Sequence, residues 1–229
     1  LQFQCSGCGR VALADPQHWR CPECASPLEM IEHSPFTAGM IDSAVPGLWR
    51  YRRSIPVELT APVTFSETMT PLAYASIGGV PVLAKLDGLL PTGSFKDRGM
   101  AMLVSWLREA GVTHVVEDSS GNAAASIAGY AARAGLGCTV YAPATASPGK
   151  LVLAAAFGAD VKLIAGSRDD VAHAAESAAL VPGAAYATHN WHPLFIEGVK
   201  SWAFEVWEQL GFELPDAIVA PAGSGSLIL

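Results

Sequence analysis

The sequence has few charged residues and, in particular, little positive charge. Charged residues make up 15% of its 229 positions, and 14 lysines and arginines face 21 aspartates and glutamates, for a formal net charge of -7. Nucleic acids and anionic membrane surfaces attract basic proteins, so this balance offers neither of them an electrostatic attraction. We therefore expect no nucleic-acid partner and no membrane partner.

Long hydrophobic runs are also missing. None reaches the roughly 20 residues that a membrane-spanning helix needs, and the N-terminus lacks the basic region and apolar stretch of a signal peptide. We therefore expect a soluble, cytoplasmic protein. Because the chain opens on Leu1 and stops at Leu229 inside an apolar run, we expect that both of its ends are trimmed.

Two Cys-x-x-Cys pairs lie in the first 33 residues, and they predict a zinc ribbon over residues 1–33. The four candidate metal ligands are Cys5, Cys8, Cys21 and Cys24. Each pair can place two thiolates on one turn, and four thiolates complete the tetrahedral shell of a structural Zn²⁺. Two disulfides are the alternative, which a cytoplasmic chain disfavours. A ribbon can also bind nucleic acid, but only Arg10 and Arg20 could contact phosphate here.

Beyond residue 94, short apolar runs alternate with longer helical patterns. The predicted helices are 95–110, 123–134, 148–157, 169–180 and 193–210, and the predicted strands are 113–116, 138–141, 161–164, 184–188 and 217–220. With 51% hydrophobic residues, the chain can bury a sizeable core. The alternation indicates an α/β fold of parallel sheets with right-handed crossovers, in which ligands bind beyond the carboxyl ends of the strands.

Less regular sequence precedes this region. Residues 47–53 predict a helical turn that packs its aromatic side chains under the following domain, and residues 74–77 and 80–86 predict a hairpin around Gly78 and Gly79.

Lys96 is the candidate catalytic residue. It lies in the stretch Pro91–Gly99, in which Ser94 and Asp97 have the spacing of a capped helix start. The first turn of a helix disfavours a cation, which lowers the pKa of an amine and makes it a better nucleophile for imine formation. The alternative is an ordinary surface lysine.

Two further loops could bind anions. The sequence Ser119-Ser120-Gly121-Asn122 joins a strand to a helix N-terminus, which suits a substrate carboxylate, although an ordinary helix cap is the alternative. Asn122 can also donate to a phenolate-like oxygen. The sequence Gly223-Ser224-Gly225-Ser226 can cradle a phosphate, but it lacks the pattern of an ATP or NAD site. An aldehyde, a phenolate oxygen and one phosphate together describe pyridoxal 5′-phosphate (PLP).

These three motifs resemble the lysine, asparagine and phosphate loops of threonine synthase and its relatives, the fold-type II (tryptophan synthase β-like) PLP enzymes. The resemblance implies that Lys96 binds the cofactor covalently and that Asn122 bonds its 3′-oxygen. It also implies that Gly223, Ser224, Gly225 and Ser226 hold its phosphate, and that Ser119 and Ser120 receive the substrate carboxylate.

The resemblance further implies two open-sheet α/β lobes after the ribbon, within a catalytic domain at 34–229 that lacks its C-terminal part. The smaller lobe would be nested near 99–190 and would close over an amino-acid substrate. The residue that contacts the pyridine nitrogen would lie outside this chain. A homodimer is a further expectation.

One departure concerns the substrate. Threonine synthases, which convert O-phosphohomoserine to threonine and phosphate, typically read Asn-Pro-Tyr-Arg-Ile-Glu-Gly where this chain reads His192 to Gly198, so Phe195 replaces a phosphate-binding arginine. Another cation could serve instead, with Lys150, Lys200 and Arg98 as candidates. The alternatives are a β-eliminating or β-replacing enzyme of the cysteate synthase type, acting on serine-like or phosphoserine-like substrates, and a catalytically silent PLP-fold binding protein.

Overall fold

A small antiparallel sheet at the N-terminus contains Cys5, and the other three cysteines lie in the connections between its strands. The computed structural model describes residues 1–31, 35–223 and 225–228. Strands β1 (Gln2–Cys5), β2 (Val11–Leu13) and β3 (Leu28–Met30) form a sheet in the order β2-β1-β3. Residues along β1 alternate between exposed and buried, because successive side chains of a strand point to opposite faces of the sheet. The predicted end of the ribbon at residue 33 lies outside the described residues.

Aromatic contacts fix this ribbon to the rest of the chain. The Phe3 ring packs against Trp106 at 6.3 Å and edge-on to His192 at 6.1 Å, measured between ring centres. Trp19 packs edge-on against Tyr186 at 5.0 Å. The ribbon therefore shares a hydrophobic core with the domain that follows it.

A 3₁₀ helix and a hairpin connect the ribbon to the main sheet. The 3₁₀ helix Gly47–Ser54 buries Trp49 and Tyr51, as the predicted helical turn requires. Strands β4 (Leu72–Ile77) and β5 (Val80–Lys85) pair antiparallel on either side of Gly78 and Gly79. Both glycines have positive φ, 59° and 83°, which the two-residue turn demands. Both predictions are confirmed.

A four-stranded parallel sheet forms the centre of the fold. Its strands are β6 (His114–Glu117), β7 (Gly137–Pro143), β8 (Asp160–Ile164) and β9 (Ala184–Tyr186), in the order β8-β7-β6-β9. Helices α1 (Lys96–Glu109), α2 (Asn122–Ala134), α3 (Pro148–Ala156) and α4 (Arg168–Ala178) alternate with these strands. The predicted α/β class with parallel strands is confirmed. These strands fall within 99–190, and the division into two lobes stays a prediction.

Glycines follow the ends of several helices. The helix-ending glycines all have left-handed φ angles: Gly111 (85°), Gly135 (73°), Gly158 (89°) and Gly211 (70°). Only a residue without a Cβ adopts this conformation at no steric cost. A glycine after an apolar-periodic segment therefore marks the position where the helix ends.

Two predictions at the C-terminal side are wrong. The predicted helix 193–210 is two helices, α5 (Pro193–Val199) and α6 (Ser201–Gln209), interrupted at Lys200. The interruption follows Gly198 and Val199, which are weaker helix formers than their neighbours. Residues 217–220 form no strand within the described residues, because a strand needs a hydrogen-bonded neighbour and Val219 is 99% exposed.

Over the described residues, no helix is both long and apolar enough to cross a membrane.

Candidate active site

Lys96 occupies the first turn of α1, and its amine reaches the glycine loop far along the chain. Lys96 Nζ donates a hydrogen bond of 3.1 Å to Ser226 Oγ, across 130 positions of sequence. The rings of Phe95 and Phe195 lie 4.5 Å and 5.3 Å from Nζ, measured to the ring centres. The structure therefore brings together the amine and one residue of the predicted phosphate loop.

The surroundings of Lys96 disfavour its charged form. Burial lowers the pKa of the Lys96 amine from 10.5 to about 8, and the negative charge of Glu117 opposes this shift only in part. The direction is the one that the sequence predicts, but the cause is burial rather than a position at a helix terminus. An amine with this pKa is available as a nucleophile near neutral pH.

The start of α1 is not capped in the predicted way. Ser94 Oγ is buried and has no hydrogen-bond partner among the described residues. The Asp97 carboxylate instead accepts hydrogen bonds from the Thr92 N–H at 2.7 Å and from Ser126 Oγ at 2.6 Å. Because Asp97 is fully buried, it needs several donors, and α2 supplies one of them. Asp97 therefore joins the lysine loop to α2 instead of capping α1.

Two glycines let α1 and α5 approach closely. A Cβ added at Gly99 would lie 2.3 Å from the Phe195 ring, and one added at Gly198 would lie 2.2 Å from the carbonyl oxygen of Arg98. Both distances are too short for any larger residue without movement of the neighbours. Gly99 and Gly198 therefore allow Phe195 to lie beside the Lys96 amine.

A cavity of about 340 Å³ opens beyond the carboxyl ends of the parallel strands. Its lining residues come from separate loops: Asp118, Ser119, Ser120, Gly121, Pro143, Arg168, His189, Asn190 and Gly223. The two serines that the sequence predicts for a substrate carboxylate thus share a cavity with the first glycine of the predicted phosphate loop. This is where an α/β sheet is expected to bind its ligand.

The other predicted cofactor residues are less fully described. Asn122 begins α2, is exposed, and makes no side-chain hydrogen bond within the described ranges. In the glycine loop, Gly225 has a φ of 82° and its carbonyl accepts from the Ile228 N–H at 2.9 Å. Ser224 lies outside the described residues. The roles of these residues toward a cofactor stay predictions.

Four titratable residues near the cavity were given no role by sequence reasoning. Glu117 and Asp118 follow each other at the end of β6, where they are 0% and 3% exposed. Glu117 Oε1 is 2.9 Å from His189 Nδ1, and Asp118 forms an ion pair with Arg168. Burial raises the pKa of the Glu117 carboxyl, and the neighbouring imidazole opposes that rise. The signal was two acidic residues ending an apolar strand, where buried charge is rare.

The cations predicted as substitutes for the missing arginine lie elsewhere. Arg98 is 1% exposed and is bonded to Asp87 and Glu205. Lys200 pairs with Glu197, and Lys150 is exposed on α3. Arg168 is the arginine that lines the cavity. Asp118 already balances the charge of Arg168, and the identity of a cation that serves the substrate stays a prediction.

The four N-terminal cysteines converge on one point. Their sulfur atoms all lie within 4.8 Å of one another, with Cys5 Sγ 3.4 Å from Cys24 Sγ and Cys8 Sγ 3.8 Å from Cys21 Sγ. Tetrahedral coordination with Zn–S bonds of about 2.3 Å separates the sulfurs by about 3.8 Å. The donor set and its spacing therefore fit a structural zinc.

Comparison with known proteins connects this geometry to a family. A family profile described as "Pyridoxal-phosphate dependent enzyme" matches residues 63–229. The chain is 35% identical over 235 residues to the threonine synthase of Methanosarcina acetivorans, and 33% identical over 237 residues to that of Methanocaldococcus jannaschii. These alignments cover 99% and 98% of this chain and 58% of each relative, so the chain spans less than two thirds of their length.

A solved structure supports the same relationship. The crystal structure of the T.th. threonine deaminase matches 70% of this chain and 53% of that one, with a TM-score of 0.61 and 29% sequence identity. The similarity therefore extends from short motifs to the arrangement of strands and helices.

Proposed function

Because the chain belongs to the pyridoxal-phosphate dependent enzyme family, we propose that it is a PLP-dependent lyase of the threonine synthase type. Its reaction would convert O-phosphohomoserine to threonine and phosphate. The observation that carries the proposal is the 3.1 Å hydrogen bond from Lys96 Nζ to Ser226 Oγ, since it brings a reactive amine to a glycine loop beside a cavity. The matched threonine synthases are longer than this chain, so the complete reaction is part of the proposal.

The residues around Lys96 fit PLP. The amine is buried with a lowered pKa, and its hydrogen bond goes to a hydroxyl instead of to a carboxylate that would keep it charged. A Cβ added at Gly223 would meet nothing within 4 Å, so the loop leaves open space beside the cavity for a phosphate. These two features suit an aldehyde and a phosphate on one molecule.

We assign roles to the site residues on this basis. Lys96 would hold the cofactor, and Asn122 would bond the 3′-oxygen of the cofactor. One loop would bind the cofactor phosphate, and another would bind the substrate carboxylate. The phosphate residues are Gly223, Ser224, Gly225 and Ser226, and the carboxylate residues are Ser119 and Ser120.

Lys96 would also move protons. When bound, PLP supplies an electron sink that stabilises negative charge on the carbon chain of the substrate. The Lys96 amine takes the proton from Cα and then moves protons at the neighbouring carbons. The Phe195 ring, 5.3 Å from Nζ, covers one side of the amine and contributes to the burial that lowers its pKa.

A second candidate function rests on the charges in the cavity. Phe195 replaces the arginine of threonine synthases, and Arg168 is paired with Asp118. A phosphate dianion prefers an unpaired, bidentate guanidinium, whereas a smaller leaving group does not need one. This favours a β-eliminating or β-replacing enzyme of the cysteate synthase type that acts on serine-like substrates. Phosphoserine-like substrates belong to the same second candidate, but they carry the same phosphate and gain nothing from this argument.

A phosphate-release assay separates the two candidates. We expect the PLP-loaded protein to release phosphate from O-phosphohomoserine at least about tenfold faster than from O-phosphoserine, because one methylene of substrate length discriminates by about 10–200-fold. The measurement is inorganic phosphate over time with each substrate. The opposite preference would support the second candidate, and no release from either would support a catalytically silent protein that retains the fold.

We further propose that the ribbon holds one structural Zn²⁺ on Cys5, Cys8, Cys21 and Cys24. Four thiolates leave no open coordination position, so the metal would stabilise the ribbon and take no part in catalysis. A cytoplasmic location agrees with this assignment, because thiols stay reduced there.

Removing the metal should unfold the ribbon. We expect Cys8→Ser protein to lose its equimolar zinc and to show a red-shifted tryptophan emission, because Trp19 would leave its packing against Tyr186. Elemental analysis and fluorescence measure the two effects. The matched control is Cys138→Ala, which changes a buried cysteine of β7 and should retain zinc. Full zinc content in Cys8→Ser protein would disprove the four-thiolate site.

A further inference from the structure

His189 and Glu117 form a hydrogen-bonded pair beside the cavity, and neither has a role in the reaction described above. Glu117 ends β6 and is fully buried, and its Oε1 is 2.9 Å from His189 Nδ1. When Glu117 Oε1 accepts this bond, Nδ1 of His189 carries its hydrogen. The neutral imidazole then has its lone pair on Nε2. Nε2 makes no hydrogen bond within the described part of the chain.

The imidazole faces the cavity that we assign to the substrate. His189 lines this cavity together with Ser119, Ser120 and Gly223. Its ring packs against Phe195 at 6.1 Å, and the same phenyl ring lies 5.3 Å from Lys96 Nζ. Lys96 and His189 therefore both lie next to the Phe195 ring, and each has a nitrogen that can carry a proton.

The proposed reaction needs a second base. Lys96 moves protons at carbon, but threonine formation also adds water to Cβ, and that water must lose a proton as its oxygen bonds to carbon. The Glu117 carboxylate cannot serve directly, because it is buried and already accepts the bond from His189. An imidazole held by a buried carboxylate is suited to general-base catalysis at neutral pH.

We propose that His189, oriented by Glu117, is the base that takes a proton from the water molecule added to the substrate Cβ. The inference rests on the proposed threonine synthase reaction. In this step the water oxygen forms a bond to Cβ, the Cα–Cβ double bond breaks so that its electron pair moves to Cα, and one water proton moves to Nε2 of His189. Cα is protonated afterwards by the Lys96 amine. The resulting imidazolium gives that proton to the released phosphate or to solvent, which returns the imidazole to its starting state. His189 is thus a catalytic residue, and Glu117 is a positioning residue.

The assignment predicts a particular change in products. If phosphate leaves but water does not add, protonation of the remaining carbon chain and hydrolysis at nitrogen give 2-oxobutanoate and ammonia. One O-phosphohomoserine and one water supply the atoms for either outcome: threonine and phosphate, or 2-oxobutanoate, ammonia and phosphate. The ratio of threonine to 2-oxobutanoate therefore reports on the water step alone.

The test uses the PLP-loaded full chain with His189→Gln, because glutamine keeps hydrogen-bonding capacity but cannot accept a proton. We expect threonine formation to fall by on the order of 10²-fold or more, the contribution of a general base, with 2-oxobutanoate accounting for the phosphate released without threonine. The control is His173→Gln, an exposed histidine of α4, which should leave the product ratio unchanged.

Glu117→Gln provides a second variant with a readout other than activity. ¹⁵N NMR of the His189 ring should show the Nδ1–H tautomer in the unmodified protein and a loss of that preference in Glu117→Gln protein. The product ratio should shift in the same direction as in His189→Gln protein, by a smaller factor. This variant also serves if His189→Gln protein does not fold.

The outcomes distinguish this inference from the proposed function. Equal yields of threonine and phosphate from both variants, at rates within about threefold of the unmodified protein, would overturn the role of His189 alone, since a lost general base costs far more. Failure of the unmodified protein to release phosphate from O-phosphohomoserine would overturn the proposed function and this inference with it.

Discussion

Replacing Lys96 by alanine is expected to abolish covalent binding of PLP and to reduce lyase activity by on the order of 10²–10⁴-fold, the contribution of one proton-transfer group, or by more. Two roles are lost together, since the same amine would attach the cofactor and move protons at carbon. The loss should be in activity and not in folding, because the amine donates its hydrogen bond to a single hydroxyl, that of Ser226.

Borohydride reduction measures the attachment directly. Reduction of PLP-loaded protein should fix the cofactor to the peptide that contains Lys96, which mass spectrometry identifies. Lys162→Ala is the matched control, because Lys162 is an exposed lysine of β8 paired with Asp160 and should have no effect. Fixation of the cofactor to another lysine in Lys96→Ala protein would refute the assignment.

The lowered pKa of Lys96 adds a pH dependence to the same experiment. With a pKa of about 8, about one amine in ten is uncharged at pH 7, against fewer than one in a thousand for an ordinary lysine. The rate at which cofactor-free protein takes up PLP should therefore rise as pH increases and level off above about pH 8. A rate that keeps rising toward pH 10 would mean that burial does not lower this pKa.

The cavity could be anticipated from sequence because its parts depend on local rules. Glycine ends helices, short apolar runs form parallel strands, and the ends of those strands are where ligands bind. These rules placed Ser119 and Ser120 beyond the end of a strand, where the cavity opens. Gly223 lines the same cavity, although the strand predicted before it at 217–220 does not form within the described residues.

What sequence reasoning missed depends on contacts between distant positions. Glu117 and His189 are separated by 72 residues and are joined because β6 and β9 are neighbours in the sheet. The order of strands in a sheet is not written in any one strand. Asp97 was misinterpreted for the same reason, because the hydroxyl group of Ser126 on α2 competes for its carboxylate. A capping motif predicts a helix start only when the acidic side chain has no better partner in the folded protein.

Arg98 illustrates a third kind of information that sequence does not carry. It lies two positions after Lys96 and was a candidate for binding the substrate, yet it is 1% exposed and lies between two acidic residues. Arg98 Nη2 is 2.8 Å from Asp87 Oδ1 and 2.8 Å from Glu205 Oε2. Lys85 also pairs with Glu205 at 2.7 Å. This network joins α1 to the end of the hairpin and to α6.

Replacing Arg98 by methionine should destabilise the protein by about 3–5 kcal/mol, because removal of one partner leaves buried charge without compensation. Methionine keeps most of the side-chain volume, so the loss reports on charge and hydrogen bonds more than on a cavity. Urea unfolding at neutral pH measures the change. The matched control is Arg52→Met, which breaks the exposed pair with Asp42 and should cost about 0–1 kcal/mol.

The effect should depend on pH with a definite sign. Burial would raise the pKa of the Asp87 carboxyl, but the hydrogen bonds and charge of Arg98 outweigh it and hold that pKa below its ordinary value. A carboxyl whose pKa is lower in the folded state stabilises the fold above its unfolded pKa, near 3.9, and loses this contribution as pH falls through its folded pKa. The difference in unfolding free energy between the unmodified protein and Arg98→Met should therefore be present in full at neutral pH and shrink in acid below about pH 4. A difference that stays constant down to acid pH would mean that Arg98 stabilises the fold by packing rather than by its charge.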